Sequence, residues 1–269
     1  MSASPASLPE LSRREPRIRG RSVLAIWLRH VIALLRVWRV AFTWFVVEPA
    51  AVLVAVALGI GRLVGEMETG GSYALFVTPG IVVGTAMFHA LFECAWSVYQ
   101  RIQQGVYATL LTAPVTVTEI VLAELAFATT RALLSTLAVG GLAVAVGWLP
   151  GAAWPGLLLV SVGVGVIFGS IGLLFAALAP TLHALSLVFT LVATPLYFFS
   201  GAFFPLEVLP DWLEPVAWAA PLTPLVELSR GFVAGRFDAG HALAAAWVVL
   251  LALLLVPLAG VLLRRRLLI

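Results

Sequence analysis

The chain has 269 residues, of which 62% are hydrophobic and 11% charged, with a formal net charge of +3 and a mean hydropathy of +1.07. A water-soluble domain of this length runs near half apolar and a quarter charged; too few charges are present here to cover a water-facing surface, so lipid must be the solvent for much of the chain. Every basic residue is arginine, which excludes a standard P-loop for want of its lysine, and the lone Cys94 excludes an intrachain disulfide or a cysteine metal cluster.

Residues 1–20 are rich in Ser, Pro, Glu and Arg, contain no apolar run of signal-peptide type, and read as a disordered tail. From Arg21 to Val40 the pattern changes. At about 100° per residue, Arg21, Arg29, Arg36 and Arg39 share one narrow arc, while Leu24, Trp27, Leu28, Val31, Leu34, Leu35 and Trp38 occupy the other side. This is the signature of an amphipathic helix lying in a membrane interface.

A bilayer core takes about 20 apolar residues per helix. Six such runs follow, at Phe42–Val64, Tyr73–Val98, Ile120–Leu149, Gly156–Ala179, Leu182–Phe204 and Ala242–Leu263. The predicted fold is an all-α integral membrane protein with six transmembrane helices. It adds the N-terminal interfacial helix and short re-entrant helices between spans five and six.

Arginines set the orientation. Those before the first span (Arg13, Arg14, Arg17, Arg19, Arg21, Arg29, Arg36, Arg39), Arg101 after the second, and Arg264, Arg265 and Arg266 at the end all fall on one side. The other side receives Arg62, Arg230 and Arg236 among Glu66, Glu68, Glu207, Asp211, Glu214, Glu227 and Asp238. Both termini are therefore expected in the cytoplasm. The arginines are lipid-flank residues, and no nucleic-acid partner is expected.

Between spans two and three, YQRIQQGVYATLLTAPVT (Tyr99 to Thr116) is too long for a tight turn and could dock a cytoplasmic protein. Thr116 and Glu119 form a capping box at the start of the third helix. Between spans five and six, Pro205, Pro210, Pro215, Pro221 and Pro224 interrupt an apolar stretch, and Thr223 followed by Pro224 reads as a helix N-cap. Short broken helices dipping into the outer leaflet, capping the outer end of a pathway, fit that pattern.

Ionisable residues inside spans are costly and face protein, water or each other. Glu48, Glu93, Glu124 and Arg131 are such residues. Arg131 is expected to pair with Glu93 or Glu124. Gly80 and Gly84, and Gly165 and Gly169 with Gly163 and Gly172, read as seams for close helix packing. His30, His89, His183 and His241 share no ligand spacing, so no metal site is expected.

Several stretches then converge on one family. LFVTPGIVVGTAMFHALFECAWSVYQRI (Leu75 to Ile102), IVLAEL (Ile120 to Leu125), YFFSGAFFPLEVLP (Tyr197 to Pro210), PLTPLVELSRGFVAG (Pro221 to Gly235) and the ending LLRRRLLI (Leu262 to Ile269) resemble the permeases of the type-2 ABC exporter family, most nearly its nodulation protein J branch of lipo-oligosaccharide exporters. The resemblance implies a single permease domain over residues 21–269. It implies a homodimer working with two copies of a separate ABC ATPase, in the bacterial inner membrane. It places an ATPase-coupling loop at Arg101, Gln104, Tyr107, Leu110 and Pro114, and an outer gate at Phe203, Phe204, Pro205, Pro210 and Trp212. The cargo it implies is amphiphilic: a lipo-oligosaccharide, a polysaccharide or lipid-linked glycan, or a drug. Aromatic side chains at Tyr197, Phe198, Phe199 and Phe203 are candidate linings. No catalytic residue and no bound cofactor are expected, ATP being used by the partner. The alternatives are a secondary transporter, for which no internal repeat is visible, and an intramembrane enzyme, for which Ser200-Gly201 lacks the preceding glycine of a rhomboid-type motif.

Overall fold

The structure, a computed structural model, describes residues 18–64 and 72–268. The expected tail to residue 17, with Arg13, Arg14 and Arg17, lies outside the described residues, as do Glu66, Glu68 and the side chain of Arg62. Among the described residues, six helices are long and apolar enough to cross a membrane: Trp38–Ile60, Tyr73–Gln103, Val117–Val146, Gly151–Leu178, Leu182–Ala202 and Ala239–Leu268. At a rise of about 1.5 Å per residue, the shortest is still about 30 Å long. They are called spans one to six below.

Spans two, three and four form the buried centre, and one, five and six are far more exposed. Small residues let the centre close. A Cβ on Gly165 of span four would stand 2.4 Å from the Thr129 backbone of span three, and one on Gly172 would stand 2.7 Å from Cys94 Cβ of span two. The other glycine pair joins spans two and five, with Gly80 against the Ala202 backbone and Gly84 under the Tyr197 ring. Cys94 is buried among these contacts as a small apolar residue.

The amphipathic helix covers Gly20–Arg36 and breaks at Val37, where φ is −108° and ψ 25°. Span one therefore starts at Trp38 rather than Phe42. The helix has three faces. Ile26 and His30 are buried against the bundle, and Trp27 Nε1 donates to Thr130 Oγ1 of span three at 3.0 Å. Leu24, Leu28, Ile32 and Leu35 are exposed apolar side chains. Arg21, Arg29 and Arg36 make a third, exposed face. One side thus holds the protein, one suits acyl chains and one suits phosphates and water. The start of the helix is tied down as well, since the Arg19 amide donates to Glu119 Oε1 at 2.6 Å.

Span three begins on the predicted capping box: Glu119 N donates to Thr116 Oγ1 at 3.2 Å, and Thr116 N donates to Glu119 Oε2 at 2.9 Å. Two of the orphan amides at the helix start are satisfied in this way. At the opposite end of the bundle, span five stops where Gly201 takes φ 78°, a conformation open to glycine at little cost. A short turn at Leu206–Val208 and helices at Glu214–Ala219 and Thr223–Ala234 follow. The last of these is buried at Leu225, Val226 and Ser229, against spans two, four and six. The expected cap is displaced by one residue. Leu222 is the N-cap, and the Thr223 hydroxyl instead donates back to Ala217 O at 2.5 Å, tying two short helices together.

Candidate functional site

Span two does not end at Val98 but continues to Gln103, which puts Arg101 in its last turn. The chain then reverses through Gly105, at φ 70°, into a short helix, Val106–Leu110. This geometry turns two side chains of the expected docking loop inward. Arg101 Nη2 lies 2.5 Å from Glu93 Oε1, and its Nη1 lies 2.7 Å from Glu124 Oε2. The Tyr107 hydroxyl donates to Glu124 Oε1 at 2.7 Å.

Glu93 and Glu124 are almost wholly buried. A lone carboxylate at the centre of a membrane helix costs about 3 kcal/mol on insertion scales, so each demands compensation. Glu93 also receives Arg131 Nη1 at 2.5 Å and Ser97 Oγ at 3.3 Å. Glu124 also meets His30 Nε2 of the amphipathic helix at 3.0 Å. Arg131 is thus joined to Glu93, on span two, and not to Glu124. The two carboxylates and two guanidiniums balance in charge. Burial, and then the neighbouring Glu124, push the Tyr107 phenol well above its usual range, so it stays protonated and donates. A π-helical turn at Glu93–Ser97 brings these residues to bear, a local irregularity frequent at functional sites.

The rest of the loop faces outward. Gln104 and Pro114 are exposed and Leu110 is half-buried. The loop is therefore anchored from within by Arg101 and Tyr107, and leaves Gln104, Thr109 and Thr112 to Pro114 exposed. His30 and the inward turn of Tyr107 were not read from sequence as site residues. The available signal for His30 was its place on the helical wheel opposite the arginines, four residues beyond Ile26.

The residues expected at the outer gate are only partly together. Phe203 packs with Tyr197 and Phe198, at ring-centroid distances of 4.9 and 5.0 Å, and Phe204 meets Phe199 at 6.4 Å. Pro205 is half-buried, while Pro210 and Trp212 lie exposed on the following turn. The Tyr73 hydroxyl holds the Phe203 carbonyl at 3.0 Å. Arg230 donates to the Gly201 carbonyl and lies 3.9 Å over the Phe76 ring. Of the candidate linings, Tyr197 is buried, whereas Phe198 and Phe199 are exposed on span five.

The sequence profile of the ABC-2 type transporter family matches residues 21–233, from the amphipathic helix to the last short helix before span six. The chain belongs to the ABC-2 type transporter family. It is 31% identical to Nodulation protein J of Rhizobium meliloti (strain 1021) over 217 residues, which cover 80% of this chain and 82% of that protein. It is 32% identical to Nodulation protein J of Sinorhizobium fredii (strain NBRC 101917 / NGR234) over 249 residues, covering 91% and 94%. A more distant relative is the Inner membrane transport permease YadH of Escherichia coli (strain K12), 27% identical over 208 residues, covering 77% and 80%. The chain is thus a multi-pass permease subunit of an ABC transporter, a family that works with an ABC ATPase.

Proposed function

We propose that two copies of this chain and two copies of a separate ATPase form an exporter in the bacterial inner membrane, with both termini in the cytoplasm, moving an amphiphile outward. The observation that carries this reading is the double role of the segment after span two. Its exposed residues, Gln104 and Thr112 to Pro114, are open to a partner. Its inward residues, Arg101 and Tyr107, grip the same carboxylate that holds the amphipathic helix through His30. A push on the loop would therefore be shared by spans two and three and by the interfacial helix. Buried ion pairs offset their desolvation only in a good geometry, so moving one member disfavours leaving the others behind. Cargo resembling the lipo-oligosaccharides of the nodulation branch suits the exposed aromatic faces of span five, because acyl chains need apolar surface.

The test is co-expression with candidate ATPase subunits and purification in mild detergent. An ATPase should co-purify at equal stoichiometry and be released by charge substitutions at Gln104 and Thr112. Arg101→Lys, which keeps the charge but cannot fork to both carboxylates, should keep the ATPase but weaken the coupling of its hydrolysis to cargo. Failure of every ATPase to bind would remove the reading.

A further inference from the structure

A cavity of about 280 Å³ opens between spans one, two and five, with Arg131 of span three at its back. Most of its wall is aromatic or aliphatic, including Trp44, Phe88, Phe92, Phe189 and Tyr197. Glu48 stands at this cavity about ten residues into span one, close to mid-membrane, and its side chain is exposed. Among the described residues it has no hydrogen-bond or ion-pair partner. A second lining residue is also unsatisfied: Tyr197 is 7% exposed and its hydroxyl has no partner.

Charge decides what this cavity takes. Arg131 is the one arginine in the lining, and Glu93 already neutralises it. Behind it, Glu93 and Glu124 are balanced by Arg101 and Arg131. Glu48 is therefore the lining carboxylate with no protein cation paired to it, at a depth where an arriving cation would meet little competition from water. Around it, Trp44 and Phe92 lie 5.9 Å apart in the cavity wall, with Phe88 and Phe189 beside them, so aromatic rings are at hand. Aromatic faces beside a carboxylate favour an organic cation. The apolar remainder of the wall, open between exposed spans one and five, suits a hydrocarbon tail.

We infer that this cavity binds the protonated amine head of an amphiphile, with Glu48 as its anionic anchor. That the occupant is cargo rests on the export reading. Binding itself is measured without the ATPase, so the two can fail separately.

The probe is nitroxide-labelled hexadecylamine, compared with its uncharged N-acetyl derivative and with labelled hexadecyl phosphate. The full chain is held in dodecyl maltoside micelles, whose sugar heads are a competing uncharged occupant. Quenching of tryptophan emission is the readout, and Trp44→Phe isolates the cavity's share. The amine should quench saturably at a concentration about ten-fold below either analogue, a preference of one decade in Kd. Glu48→Gln should abolish that preference, while Glu48→Asp and Glu227→Gln should keep it. Equal quenching by the three probes, a preference for the phosphate, or a preference that survives Glu48→Gln would overturn the proposal. If Glu48→Gln does not elute as a folded monodisperse species, the probe series on the unaltered chain decides alone.

Discussion

Arg131, Glu93, Arg101 and Glu124 form a chain in which each charge has a defined neighbour. Removing one partner of a buried pair leaves the other uncompensated, at about 3–5 kcal/mol. Arg131→Gln should therefore lower folded yield and melting temperature sharply. Adding Glu93→Gln should restore much of the loss, because the Arg101–Glu124 pair then stands alone and balanced. Glu124→Gln should restore less, since Arg131 does not touch Glu124 and His30 and Tyr107 would lose their acceptor. Fluorescence-detected size exclusion with heating would rank the variants, and equal rescue by both glutamines would refute the geometry. At this scale the sequence was only partly legible. Intramembrane charges announce themselves by their cost, so Glu93, Glu124 and Arg131 stood out. Arg101 did not, because an arginine just beyond an apolar run reads as a lipid-flank residue. Only the extension of span two by one further turn, which apolar periodicity cannot see, brings it back onto the carboxylates.

Helices were the most legible elements, because apolar length and capping chemistry are local properties. The Thr116–Glu119 capping box needed no tertiary knowledge. The Thr223 cap failed for the complementary reason: the Ala217 carbonyl, six residues back, takes the hydroxyl instead. Glycine seams were visible as spacing, but which helices they joined was not. The structure makes that partnership testable. Gly165→Ala would drive a Cβ into the Thr129 backbone of span three and should cost most of the folded yield. Gly260→Ala, in span six, meets nothing within 4 Å. It should be neutral or gain up to about 1 kcal/mol from helix propensity. Melting temperatures in the same detergent would compare the two, and similar effects at both sites would contradict the packing described.

For the molecule as a whole, the exposed spans matter most. Spans one, five and six leave large apolar side chains uncovered, such as Leu58, Leu191 and Leu253. Lipid can cover all of them, whereas the dimer proposed above would cover only some. If the two copies meet through spans one and five, a cysteine at Leu191 should cross-link to its counterpart in native membranes, and one at Leu253 should not. Cys94 is buried and can stay as an internal control. Cross-linking at Leu253 alone would place the interface on span six. Nothing in a single sequence distinguishes a lipid-facing leucine from one facing a second copy, since both are apolar and exposed in the protomer.

The π-helical turns have a geometric consequence. They occur at Thr43–Val47 and Ala55–Ile60 in span one, Glu93–Ser97 in span two, and Phe189–Ala193 in span five. These are the spans that wall the cavity beside Glu48. Each such turn stores one surplus residue in the helix. That surplus offsets the two halves of a span by about 100° relative to an unbroken α-helix, so side chains beyond the turn face a different direction. The spans around the cavity thus present to it side chains that unbroken helices of the same sequence would turn elsewhere.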